Sequence, residues 1–271
     1  QHKIQLEGYE ILEKFHKNDN HVFFYAIRQS DQTPVVIKLL DALYPSPIAL
    51  NRLRQEYTIA QALNHPYILK AHALIPYHNS LCIVLENFNA ISLSYLLEHK
   101  KLNLSTLLII AIHITKGLSH IHRKNIIHKD IKPSNILINP NTFETKIADF
   151  SISSQVTNEP IDTNLNYEIE GTLAYISPEQ TGRMNRNLSY HSDIYSLGVT
   201  LYHMFTGQLP FSSTDTLALI HAHIAKSPTP PHEINKSLPK VLSEIILKLM
   251  AKTAEDRYQS SLGITADLQK C

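Results

Sequence analysis

Cysteine is scarce: Cys82 sits inside an apolar run and Cys271 at the last position of 271 residues. Two such thiols make a disulfide scaffold a poor expectation and fit a reducing compartment, the cytoplasm. Net charge is nearly absent as well, with 25 basic against 24 acidic residues. The bulk balance therefore calls for neither nucleic acid nor an anionic membrane as partner, and any charged site has to be local. Sixteen histidines add charge only below neutral pH. Long apolar runs are missing: residues 107–114, broken only by His113, fall far short of a bilayer's thickness, so no membrane span is expected. No charged-then-apolar leader opens the chain, and neither repeats nor low-complexity segments interrupt it. What is present is 43% hydrophobic residues, enough for a soluble globular fold of one large or two closely packed domains. The start at Gln1 and the stop directly after a helical pattern suggest a domain taken from a longer chain.

Hydrophobic periodicity changes along the chain. Short β-rich runs at 9–12, 22–27 and 35–40 are separated by polar turns, and two more at 67–73 and 81–86 come after a helical stretch over 48–63 bounded by Pro45 and Pro47. From residue 88 onward the spacing becomes helical. Leu107, Ala111, Ile114, Leu118 and Ile121 form the stripe of a long buried helix, and further helical patterns cover 193–205, 214–225, 238–251 and 260–269. The reading is a small β-rich lobe before a larger α-rich lobe, with a cleft between them as the natural ligand site.

The segment His128-Lys129-Asp130-Ile131-Lys132-Pro133-Ser134-Asn135, followed by Asp149-Phe150, carries the chemistry. Phosphoryl transfer to a hydroxyl needs a carboxylate that orients the acceptor and receives its proton, and cations that neutralise phosphate oxygens. Asp130 suits the first task, Lys132 would approach the transferred phosphate, and Asn135 with Asp149 offers hard oxygen ligands for a magnesium or manganese ion. The order of residue types resembles the protein kinase catalytic loop and metal-binding segment. On that resemblance the fold is α+β and bilobal: an N-lobe of five antiparallel strands plus one helix over about 1–86, a hinge at about 86–90, and a mainly helical C-lobe over about 91–271. Lys38, following the apolar Val35-Val36-Ile37 in the strand 35–40, would contact the α and β phosphates of ATP and pair with Glu56, which shares an inward helical face with Leu53, Ala60 and Leu63. The resemblance also implies an adenine site of Val36, Leu137, Leu85, Glu86 and Phe88, with Phe15 and Phe23 from the lid above it. For each apolar member, ordinary core packing is an equal alternative.

The activation-segment end, Gly171-Thr172-Leu173-Ala174-Tyr175-Ile176-Ser177-Pro178-Glu179, resembles the same family. It implies that Thr172 bonds Asp130 and Lys132 and that Glu179 pairs with Arg257. Together with Lys132 it points to serine/threonine rather than tyrosine kinases, so a protein substrate with an aliphatic hydroxyl is expected. Asp193 would open the next helix, either as its cap or as a support for the catalytic loop. A narrower likeness runs through Glu179-Gln180-Thr181-Gly182-Arg183-Met184-Asn185-Arg186 and Asp193-Ile194-Tyr195-Ser196-Leu197-Gly198. It resembles kinase domains that begin very large bacterial signalling proteins, where a P-loop ATPase module and often a histidine kinase come next.

Three departures stand out. The phosphate-covering loop, which in kinases reads G-x-G-x-x-G, has no glycine: His16, Asn18 and His21 occupy those positions, so the phosphate grip is expected to be looser or made partly by side chains. Ser151 replaces the glycine after Phe150, and Lys129 replaces the arginine before Asp130. Ser151, Ser153, Ser154, Thr157 and Thr163 are available hydroxyls for regulatory phosphorylation. These departures keep open a second reading, a pseudokinase acting as a weak nucleotide binder or a non-enzymatic regulatory module.

Overall fold

The computed structural model describes residues 4–18, 20–155, 173–183 and 188–271. They fall into two compact units: Gln1–Ala90 together with Asp149–Ile152, and Ile91–Ala148 together with Ser153–Cys271.

In the first unit β1 (Tyr9–Lys17), β2 (His21–Arg28), β3 (Thr33–Leu40), β4 (Ala71–Tyr77) and β5 (Ser80–Glu86) form one antiparallel sheet in the order β1-β2-β3-β5-β4. The two-residue period of a strand sorts side chains between its faces. Val22, Phe24 and Ala26 pair with Leu39, Ile37 and Val35 and point to one side, where Ala26, Val35, Ile37, Leu39, Cys82 and Val84 cluster with Leu6. Phe23 and Tyr25 pair with Lys38 and Val36, which pair in turn with Ile83 and Leu85, so these six side chains share the other side.

Helix α1 (Pro47–Ala62) is started by Ser46, whose hydroxyl accepts from the Ala49 amide at 3.2 Å, with proline at the first helical position. Its buried residues Leu53, Glu56, Ile59 and Ala60 include a carboxylate, as the spacing predicts. Strand β4 lies four residues later than the expected 67–73. Pro66 and Tyr67 instead form a turn, the Ile68 amide donating to the His65 carbonyl, and the buried Ile68 makes a single β-bridge rather than part of a strand, with Leu69 buried after it. A short apolar run is ambiguous in this way because burial alone makes it look like a strand.

The second unit is built on α3 (Leu104–Arg123), capped by Asn103, and α4 (Tyr190–Thr206), capped by Ser189 and ended at Gly207 in left-handed conformation. Along α3, Ile110, Ala111, Ile114, Leu118 and Ile121 have no solvent exposure. By length and composition α3 could cross a membrane; that row of buried residues is the core face of a globular helix. Each fully buried aliphatic side chain contributes about 1.5–3 kcal/mol to holding the unit together. Short elements frame the loop after α3: β6 (Ile91–Ser92), α2 (Leu93–His99), β7 (Ile126–Ile127), β8 (Ile136–Ile138), β9 (Thr145–Ile147) and β10 (Ser154–Gln155), with β6-β8-β9 in one sheet and β10-β7 in another. After α4 come α5 (Thr216–Ala225), α6 (Pro231–Ile234), α7 (Lys240–Leu249) and α8 (Ser261–Leu268). Gly198 permits the approach of α4 to α7: a Cβ there would lie 2.8 Å from both Leu249 Cβ and Met250 Cγ.

Candidate active site

The loop 128–135 joins β7 to β8, and its shape is imposed from outside. Asp193, in the first turn of α4, is buried, and its carboxylate accepts from the amides of His128 and Lys129, both at 2.8 Å, and lies 2.9 Å from His122 Nε2. The cap of α4 is Ser189 and the helix begins at Tyr190, so Asp193 supports the loop rather than starting the helix. The His128 ring is buried with Nε2 3.1 Å from the Ala148 carbonyl, and Ser153 Oγ donates to the His128 carbonyl at 3.0 Å. Gln180 Nε2 donates to the Lys129 carbonyl at 2.8 Å, and Thr200 Oγ1 to that of Ile131 at 3.4 Å. These bonds hold Lys129 at φ 70°, a left-handed conformation that a residue with a Cβ adopts only when its surroundings dictate it.

Past that bend the three polar side chains converge. Lys132 Nζ lies 2.8 Å from Asp130 Oδ2, and Asn135 Nδ2 donates to the same oxygen at 2.7 Å and to the Asp130 carbonyl at 2.9 Å. Asp130 keeps 14% side-chain exposure, enough for a small hydroxyl to reach it. With Nδ2 turned to Asp130, the Asn135 amide offers its oxygen as a hard ligand.

In the first unit, Lys38 Nζ donates to both Glu56 oxygens at 2.7 and 2.8 Å and lies 3.7 Å from Asp149 Oδ1. Lys38 and Glu56 are 3% and 5% exposed, so the pair is buried and each charge needs the other. Burial works against the Lys38 ammonium, but the carboxylates of Asp149 and Glu56 outweigh it and hold its pKa above the ordinary lysine value. Burial, with the repulsion of Asp149, pushes Glu56 upward against the pull of Lys38. Asp149 itself has φ 64° and accepts from the Ser151 amide at 3.2 Å. The left-handed residue of this turn is therefore the aspartate, and the serine standing in a glycine's place is not forced into positive φ.

Of the sequence-predicted nucleotide residues, Phe23, Val36, Lys38 and Leu85 share one sheet face. Phe15, on β1, is 42% exposed and stacks on Tyr25 with ring centroids 3.9 Å apart. Glu86 Oε1 accepts from the Lys70 amide at 2.7 Å, fastening the end of β5 near the start of β4, and Phe88 is half-buried beyond it. Leu137 lies on β8 of the second unit, half-buried between the buried Ile136 and Ile138. Thr172, Thr157 and Thr163 lie outside the described residues. Ser153 is not an available phosphorylation site: it is 1% exposed and its hydroxyl is committed to His128.

The predicted Glu179–Arg257 pair is formed and buried, with Nη1–Oε1 at 2.6 Å and Nη2–Oε2 at 3.0 Å. Arg257 also donates to the carbonyls of Ala251, His191 and Lys252, and Ser192 Oγ donates to Glu179 Oε1 at 3.0 Å. Satisfying the remaining donors is what makes such a pair tolerable in a dry interior.

Two residues gain roles that the sequence did not assign. Gln180 closes a capping box with Ser177 while its other end holds Lys129, and His122 bridges Asp193 and Ser261 Oγ, the latter at 3.2 Å from Nδ1. Gln180 occupies the third helical position after Ser177, a capping-box spacing that is visible in sequence, but nothing local points to Lys129.

A strand lysine clamped to a helix glutamate, and an Asp–Lys–Asn group set behind a left-handed residue, define a phosphotransfer domain of the protein kinase type. Residues 20–269 match the family model described as protein kinase domain, and the chain belongs to that family. It is 30% identical over 271 residues to a protein of Clostridium perfringens named as a probable serine/threonine-protein kinase, covering 99% of this chain and 39% of that protein. It is 31% identical over 240 residues to the serine/threonine-protein kinase PknB of Mycobacterium tuberculosis, covering 86% of this chain and 38% of the relative. A third relative, the hybrid signal transduction histidine kinase G of Dictyostelium discoideum, is 32% identical over 239 residues, 64% of this chain and 7% of that protein. The chain thus spans well under half the length of these relatives. Use of ATP and a divalent metal ion is general to the family; within the first unit the buried Lys38 ammonium suits a phosphate and the Asp149 carboxylate a metal ion, and within the second unit the Asn135 amide oxygen is a hard donor of the same kind.

Proposed function

We propose that this domain is an ATP-dependent serine/threonine protein kinase that moves the γ-phosphoryl group of ATP to a protein hydroxyl, with Asp130 as catalytic base. The observation that carries it is the convergence of Lys132 and Asn135 on one Asp130 oxygen in a loop whose backbone is held by buried side chains. Asp130 orients the acceptor hydroxyl and takes its proton, while Lys132, already beside that carboxylate, balances charge on the transferred group. Lys38, held by Glu56, binds the α and β phosphates. Magnesium, or manganese in its place, held by Asn135 and Asp149, supplies charge neutralisation at the phosphate oxygens. Val36, Leu85, Leu137, Phe15, Phe23, Glu86 and Phe88 receive the adenine end, Thr172 serves the acceptor side, and residues 86–90 act as hinge. The names of the bacterial relatives favour serine and threonine as acceptors. The greater length of those relatives, and the hybrid histidine kinase among them, favour further modules after this domain in a cytoplasmic signalling protein.

A pseudokinase reading draws on one observation, the glycine-free lid, whose amides are taken up by its own Asn18. Incubation with labelled ATP and magnesium or manganese separates the two. The wild-type domain should label itself or a generic protein substrate, and Asp130→Ala should lower the rate by about 100-fold or more. Equal labelling by both proteins would reject the kinase assignment.

A further inference from the structure

In a glycine-rich lid, backbone amides approach the phosphates directly. Here three of those amides, on Asn18, Asn20 and His21, are occupied. Asn18 Oδ1 accepts from the Asn20 amide at 3.1 Å and from the His21 amide at 2.7 Å, and the Asn18 amide donates to the His21 carbonyl at 3.0 Å. The Asn20 carbonyl in turn accepts from the Asp41 amide at 2.8 Å, and Lys17 and Asp41 bridge the two sides at 2.5 Å. Among the described residues of the lid, the Asn18, Asn20 and His21 amides are thus committed to bonds within the protein and would have to be released to meet an incoming anion.

The side chains are placed differently. His21 opens β2 two residues before Phe23, so by strand period it lies on the face that carries Phe23 and, across the ladder, Lys38. The Phe23 ring lies beneath the Lys38 ammonium at 6.0 Å, with the imidazoles of His21 and His16 at 6.3 and 5.4 Å from it. His21 is half-buried, and Lys38 and Asp149 are both near enough to shift it: burial first, then the Lys38 charge, lower its pKa to about 4 against the opposing pull of Asp149. At neutral pH it therefore presents a neutral ring with one N–H to donate.

We infer that His21 is a phosphate-binding residue: its imidazole N–H takes the place of the lid's backbone amides and grips the nucleoside polyphosphate alongside Lys38. The inference rests on the nucleotide-binding reading proposed for this domain. It predicts that the contribution of His21 scales with the number of phosphates on the ligand, which a packing role for the ring would not do.

Affinity is measured calorimetrically for adenosine, AMP, ADP and a non-hydrolysable ATP analogue on the folded domain, with His21→Ala and His21→Gln beside the wild type. For His21→Ala, affinity for the di- and triphosphate should fall about 10-fold while that for adenosine changes less than about two-fold. His21→Gln, which keeps an N–H donor, should recover most of the loss. An equal loss for adenosine and the ATP analogue, or no loss for either, would overturn the assignment while leaving the nucleotide site in place. Absence of binding to the wild-type protein by any of the four ligands would overturn both.

Discussion

The catalytic loop 128–135 and the lid hairpin 15–23 both connect strands, yet they are held in place by opposite means. The loop is shaped by side chains distant in the chain, Asp193 reaching it from 64 and 65 residues away and Gln180 from 51, and it tolerates a left-handed lysine. The lid's turn is shaped from within, through Asn18 bonding two and three residues ahead, and is tied at its base by Asp41 just after β3. Long-range buried bonds fix one geometry and make it costly to leave, whereas local bonds stabilise a turn without committing it to a ligand. The chemistry proposed for Asp130 needs the first; the phosphate-covering role proposed for the lid can be met by the second.

The largest test of that contrast is Asp193→Ala. It leaves the His128 and Lys129 amides without their acceptor and releases Lys129 from its strained conformation. Unfolding in urea should show a loss on the order of 3 kcal/mol, with phosphotransfer falling by more than the loss of folded protein explains. A stability change within about 0.5 kcal/mol would mean that the loop holds its own shape as the lid does.

Each unit also carries a histidine whose pKa is lowered to about 4, in both cases chiefly by burial: His21 in the lid and His223 on α5, where Tyr195 Oη lies 3.0 Å from Nδ1. In the unfolded chain both bind a proton near the ordinary value of about 6.5, so between there and pH 4 the unfolded state holds more protons. Stability is fully present above pH 6.5 and is lost as pH falls toward 4. For His223, with no solvent exposure, the loss is on the order of 2–3 kcal/mol. His21 sits in a locally held hairpin that can open and admit the proton without global unfolding, so its share is smaller. Thermal midpoints at pH 7.5 and pH 5 should therefore converge more in His223→Gln than in His21→Gln. The reverse order would show that the lid is as tightly coupled to its unit as the helical core is to its own.

The same contrast explains what the sequence disclosed. The grouping of Asp130, Lys132 and Asn135 was legible because the roles proposed for them require such residue types at close spacing, and that of Lys38 with Glu56 because a charge in an apolar strand and a lone carboxylate in an inward stripe each call for a partner. The stripe on α3 was legible from its period. The early placement of β4 came from Ile68 and Leu69, a buried pair just after a turn that periodicity cannot tell from the start of a strand. The bond of His122 to Asp193, 71 residues away, is one that no local pattern announces. Ser151 stands where a glycine is usual, but the turn places positive φ two residues earlier, at Asp149.

Gln180 offers the finest test, because one side chain serves two purposes that a single substitution can separate. Its Oε1 accepts from the Ser177 amide at 3.1 Å and hydroxyl at 3.0 Å, while Nε2 donates to the Lys129 carbonyl. Gln180→Glu keeps the acceptor and replaces the donor with an oxygen that repels that carbonyl. The cap survives, the loop loses one tie, and the Asp193 bonds remain. The expected result is a kcat about 10-fold lower, equivalent to about 1.4 kcal/mol, with KM for ATP within about two-fold, together with a lower Tm because an unpaired carboxylate is buried, the fall in kcat persisting at temperatures where the protein is fully folded. A change in KM alone would place Gln180 on the binding side, and a fall in Tm without a fall in kcat would reduce it to a cap. If a long-range bond holds Asp130 in its working position, kcat alone should fall.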